Sequence, residues 1–144
     1  MGKLPLFFLF ISCLLFSCSK DLKHTNKIHG TWEITSLQEY SGDGNTFSTD
    51  PEGVFQFDKC QVLEDEFRAF RQQYSYSHGS STISKNETGI YKFDDEGRLL
   101  TIRIPDDNGY HQTVYHLISL KNKKLVIEHI RSQNDRTILT LEKK

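Results

Sequence analysis

The sequence predicts an all-β domain, an antiparallel up-and-down β-barrel of about eight strands. Two patterns carry that expectation. Short runs rich in Val, Ile, Thr, Tyr and Phe alternate apolar with polar residues, as strands with one buried face do. Clusters of Gly, Asn, Asp, Ser and Lys separate the runs at close intervals, so neighbours in sequence become neighbours in space. Closing such a meander into a barrel removes its exposed edges; the alternative is an open sheet or a sandwich.

Ahead of the strands, Met1-Gly2-Lys3 leads into the nearly uninterrupted apolar run Leu4–Phe16. One charge followed by about a dozen apolar residues is the layout of a secretory signal peptide, and a helix of that length falls short of the roughly 30 Å hydrocarbon core. The run ends Leu15-Phe16-Ser17-Cys18, which resembles the lipobox of bacterial lipoproteins. The resemblance implies cleavage before Cys18, a lipid on its sulfur, and anchoring to a membrane, for which acyl chains bury about 0.8 kcal/mol per CH₂. Ser19 in place of the aspartate that retains many lipoproteins in the inner membrane implies the outer membrane of a Gram-negative bacterium. Residues 1–17 are thus expected to leave as signal, residues 18–28 to form the lipidated cysteine and a flexible tether, and residues 29–144 to fold as one domain. A chain of that size can bury a core without disulfides. With Cys13 removed and Cys18 acylated, Cys60 stands alone and is expected to fill space beside Phe55, Phe57 and Val62.

Within the domain, Thr31–Tyr40 alternates Trp32 and Ile34 with polar residues and reads as the first strand. Ser41–Gly53, with Gly42, Gly44 and Pro51, reads as a long loop. Val54–Cys60 places Phe55 and Phe57 on one face. Between Gln61 and Tyr76, Leu63, Phe67, Phe70 and Tyr74 fall at near-helical spacing, while Phe70, Tyr74 and Tyr76 also suit a strand; a turn at Glu64-Asp65-Glu66 and a strand from about Phe67 to Tyr76 is favoured over a helix. His78–Ser84 reads as a loop. Gly89–Phe93, Asp94–Gly97 and Arg98–Ile104 read as strand, turn and strand, with Gly97 in the left-handed conformation such turns need. Pro105–Gly109 is the next turn and His111–Leu120 the next strand. After a turn at Lys121–Lys123, Leu125–Arg131 and Arg136–Glu142 form the last hairpin.

The chemistry in the sequence is sparse. Lys plus Arg number 18 and Asp plus Glu 19, with no long block of either sign, which disfavours nucleic-acid binding. No phosphate-cradling glycine motif, nucleophile elbow or metal-ligand spacing is present, so no cofactor and no catalytic residue is assigned. His111 and His129 could meet inside the barrel at one mouth, although polar rim histidines are the simpler reading. By strand parity Trp32, Phe55, Phe57, Tyr91, Phe93 and Tyr115 face one side, together with Ile102, Leu117 and Ile127. They either line a pocket for a small hydrophobic ligand or meet and fill the barrel.

Gly30-Thr31-Trp32 heads the first strand, and Gly89–Phe93, Gly97–Ile102, Tyr115–Leu120 and Leu125–Glu128 follow in the same style. With the lipobox, these segments resemble bacterial lipocalin-like lipoproteins over essentially the whole mature chain. The resemblance implies a non-catalytic carrier of small hydrophobic ligands. It also implies that Trp32 plugs the closed end of the barrel behind Gly30, covered by Arg136 or Lys143 through a cation–π contact. A rival expectation is an envelope accessory module or inhibitor that meets a protein partner through loops Ser41–Gly53 and His78–Ser84.

Overall fold

The computed structural model describes residues 20–61 and 67–144; Cys18 and the turn expected at Glu64–Glu66 lie outside them. A helix, α1 (Lys20–Ile28), precedes nine strands. They are β1 (Gly30–Tyr40), β2 (Thr46–Thr49), β3 (Glu52–Gln61), β4 (Arg68–His78), β5 (Ser81–Asp94), β6 (Leu99–Asp106), β7 (Gly109–Leu120), β8 (Lys124–Ile130) and β9 (Arg136–Lys143). Every pairing is antiparallel, and β1 pairs with β9 to close the sheet. The wall is therefore the expected eight-stranded barrel, built from β1 and β3 to β9, with β2 as an added strand.

Four segments differ from the sequence-based expectation. The tether is helical over Lys20–Ile28, and Thr25 and Ile28 are buried; two inward residues three apart were too faint a period to signal a helix. The loop Ser41–Gly53 contains β2, which pairs with β1 from Leu37↔Thr49 to Tyr40↔Thr46. His78–Ser84 is mostly strand, because β4 and β5 stay in register as far as His78↔Ser81. Likewise β6 continues through Pro105 to Asp106, with the Pro105 backbone opposite Tyr110. The strand favoured for Phe67–Tyr76 is present as β4.

Among the described residues three registers shift: between Phe57 and Gln61 β3 holds two extra residues against β4, and in two other ladders one strand holds a single extra residue. In β1 the shift falls between Ile34 and Ser36, so Leu37 joins Trp32 and Ile34 on the buried face. In β7 it falls between Leu117 and Ser119; Leu117 and Leu120 both pack inward and Ile118 is left exposed. β1 also changes neighbour along its outer edge. Its first half, Gly30–Glu33, pairs with β3, whereas its last residues pair with β2. Tyr76, Ser77 and His78 of β4 pair with β5 alone. Between β2 and β4 the wall is joined by rings, with Phe47 4.4 Å from His78 and 6.5 Å from Tyr76.

At the base the barrel is packed solid by side chains from every wall strand. Trp32, Phe55, Tyr91, Leu100, Leu125, Ile127 and Leu141 are each fully buried. Helix α1 caps this end, and its last four carbonyls, which a helix cannot satisfy internally, all find donors. Thr25 O accepts from the His29 N–H and Asn26 O from the His29 ring. Lys27 O accepts from Lys143 Nζ at 3.3 Å, and Ile28 O from Trp32 Nε1 at 2.5 Å. Lys143 Nζ also lies 5.3 Å from the centre of the Trp32 ring. The basic cover on Trp32 is thus Lys143. Arg136 begins β9 at the opposite end, where it stacks 4.6 Å above Tyr40 and pairs with Glu128. Gly30 takes φ +119°, open to glycine but strained for other residues, and its α-carbon face lies against Lys143 Cε. The hairpin expected at Asp94–Gly97 is present, with Gly97 at φ +80°. Cys60 is exposed near the end of β3 rather than packed beside Phe55 and Phe57; those two rings point inward and leave the neighbouring parity outside.

Trp32→Ala should cost about 3–5 kcal/mol of stability through cavity formation. Trp32→Phe should cost less but still about 1–3 kcal/mol, since the buried Ile28 carbonyl loses its donor. Urea denaturation midpoints of the two variants, compared with the parent, measure both.

Candidate functional site

The strands leave the base well packed and open at the other end, where β1, β4, β6 and β8 finish and β3, β5, β7 and β9 begin. Even-numbered residues of β4 face inward: Phe70 and Gln72 are buried, and Tyr74 and Tyr76 pack against the core. Their partners across the ladder are Gly89, Glu87, Lys85 and Ile83 of β5. Polar side chains therefore enter the barrel in its upper half, directly above the aromatic floor.

They surround a cavity of about 410 Å³, within the range of ~300–1,000 Å³ usual for small-molecule sites. Gln72, Tyr74, Lys85 and Glu87 form one side of it; Ile102, Ile104 and Pro105 of β6 and His111, Thr113 and Tyr115 of β7 form the other, with Asp106 at the lip. Gln72 Nε2 donates to Glu87 Oε2, and Lys85 Nζ lies 3.7 Å from Glu87 Oε1. The Tyr74 and Tyr76 rings stack nearly parallel, 6.2 Å between centroids. A depression of about 530 Å³ lies outside the mouth between residues 40–46 and 133–136, but it is shallow and faces solvent. There the Gly42 N–H bonds Asp135 Oδ1 at 2.7 Å and ties the two loops together.

Burial, reinforced by the Glu87 carboxylate, pushes the Tyr115 phenol up to about 12. The same causes raise Tyr74, with desolvation first and then the neighbouring Tyr115, Tyr76, Glu87 and Glu39. Tyr91 is raised chiefly by burial in the core, where its hydroxyl donates to the Asp58 carbonyl at 2.6 Å. Tyr74 and Tyr115, which border the cavity, stay neutral at ordinary pH and present their hydroxyls there as hydrogen-bonding groups.

The residues expected to line a pocket divide by height. Ile102 and Tyr115 border the cavity. Phe55, Phe57, Tyr91, Phe93 and Ile127 are buried among one another instead, with Phe57 5.0 Å from Tyr91 and 5.2 Å from Phe70 between ring centres. Leu117 packs against that core from β7. These six fill the barrel, because their strands converge on α1 and Trp32. The histidines do not meet: His111 borders the cavity, whereas His129 Nδ1 lies 3.0 Å from the Val114 carbonyl and its ring packs against Tyr115. Among the described residues no group of three or more His, Cys, Asp or Glu could hold a metal ion. Gln72, Tyr74, Lys85 and Glu87 were not among the expected pocket residues, although the strand that groups Phe70, Tyr74 and Tyr76 puts Gln72 on the same face.

A meander closed over a Gly-x-Trp plug, packed at one end and hollow at the other, defines a small antiparallel β-barrel domain. The chain belongs to the lipocalin-like domain family, whose model matches residues 28–127. Among solved structures it is similar to a redesigned β barrel, 18% identical, with a TM-score of 0.46 over 84% of this chain and 95% of that one. No curated protein matches it.

Between about pH 10 and 12 the barrel should lose stability. An unfolded chain releases its phenol protons near pH 10, while Tyr115 keeps its own to about 12, so the stabilisation is complete below pH 10 and disappears as the pH climbs through 12. Urea midpoints measured across this interval should fall, and Tyr115→Phe should make the fall shallower.

Proposed function

We propose that the protein is a membrane-anchored lipoprotein that holds a small, largely apolar ligand in the mouth of its barrel and does no chemistry on it. The observation that carries this reading is the cavity of about 410 Å³ above a packed aromatic floor, with apolar walls from Ile102 and Ile104 and a few converging polar groups. The lipocalin-like family assignment supports it. The apolar run before Cys18 supports export and lipidation there, and Ser19 supports the outer membrane as destination. Helix α1 begins at Lys20, so a lipid on Cys18 would hold the plugged base of the barrel close to the membrane surface and leave the mouth facing away. A second reading, a module that meets a protein partner in the envelope, draws on the solid lower barrel and on the paired loops joined by Gly42 and Asp135.

Native mass spectrometry of the protein purified from its own host, followed by denaturing extraction, tests the carrier reading. A stoichiometric small molecule is the expected result; a clean apo mass with a co-purifying protein would favour the second reading. For the anchor, Cys18→Ser should abolish incorporation of labelled palmitate and shift the protein from the membrane to the soluble fraction.

A further inference from the structure

We infer that the ligand of the mouth is an organic cation, a flat apolar body carrying an ammonium group that pairs with Glu87; the inference rests on the binding function proposed above. The charged side chains bordering the cavity are two carboxylates, Glu87 and Asp106, against one ammonium, Lys85, with His111 beside them. The carboxylate also sits deeper than its partner: the Glu87 side chain is 33% exposed and that of Lys85 45%. The same order holds across the mouth, where Glu39 of β1 is 21% exposed and its partner Arg131 52%. In both pairs the carboxylate is the more buried member and the base the more exposed one. An anion entering this space would have to compete with Glu87 for Lys85 and would face two carboxylates against one ammonium, whereas an organic ammonium could replace the more exposed Lys85 at a carboxylate already oriented by Gln72.

The walls fit the same guest. Tyr74 and Tyr115 border the cavity, and the Tyr76 ring stacks on Tyr74. Aromatic faces attract a cation held within about 6 Å, more strongly where water is excluded. Ile102, Ile104 and Pro105 offer the opposite wall to an apolar ring.

Three probes of one size separate this inference from the function beneath it: 1-naphthylmethylammonium, 1-naphthylacetate and neutral 1-methylnaphthalene, titrated calorimetrically into the purified protein. The ammonium should bind at least tenfold tighter than the carboxylate. Glu87→Gln, which keeps an acceptor for Gln72, should remove most of that difference, and Lys85→Ala, which frees Glu87, should tighten the ammonium further. Equal binding of the two ions, tighter binding of the carboxylate, or a preference unchanged in Glu87→Gln overturns the assignment while binding of any probe keeps the carrier function. If none of the three binds, the binding reading falls together with it.

Discussion

Residues from the two ends of the domain meet in one ladder, Trp32 to Tyr40 of β1 against Arg136 to Lys143 of β9. Every inward side chain of the other strands is buried only because this pairing turns a sheet into a closed wall. It joins residues about a hundred positions apart, so the chain must give up much freedom before the contact forms. Lys143 gathers the closure at one point. Its ammonium covers the Trp32 ring and bonds Lys27 O, its stem lies on Gly30, and its backbone N–H reaches Lys123 O. Helix, first strand and last strand are thereby fixed by the same few atoms.

From that fixed base the barrel changes character with height. Below, aromatic and aliphatic side chains meet edge to face, as Phe55 does with Phe70 at 5.3 Å, and leave the interior dry. Above, Gln72, Glu87 and Lys85 enter the lumen, where their hydrogen bonds and ion pair meet the cost of partial burial. The packed floor confines the cavity to the upper half of the barrel. It also anchors the polar groups: Gln72 stands one inward step above Phe70 of the core, and Glu87 and Lys85 lie across the ladder from Gln72 and Tyr74.

Much of the wall was legible in the sequence because strand alternation is strict where one face is buried. Tyr91 and Phe93 do face Ile102 and Leu100, and Gly30 and Trp32 stand where the lipocalin-like resemblance put them. The losses share a cause: structure built from polar residues. Helix α1 buries Thr25 as well as Ile28, and β2 offers a single large apolar residue, Phe47. His78–Ser84 reads as a loop, yet β5 begins at Ser81 and carries Lys85 and Glu87 along the mouth. The lid on Trp32 needed the register of β9, because Arg136 and Lys143 are both basic and lie at opposite ends of the same strand. Cavity and core residues share one parity, so alternation places a side chain inside without saying how high.

The change of neighbour along β1 has a mechanical consequence. Around the base, hydrogen bonds run through the whole circumference, and widening it would mean breaking a ladder. Around the mouth the circuit is interrupted beside β2, where, among the described residues, the rings of Phe47, Tyr76 and His78 bridge the gap. The barrel is a split ring on a rigid hub: two aromatic contacts, both made by Phe47, bridge its opening, and that opening can widen without any strand leaving its partner.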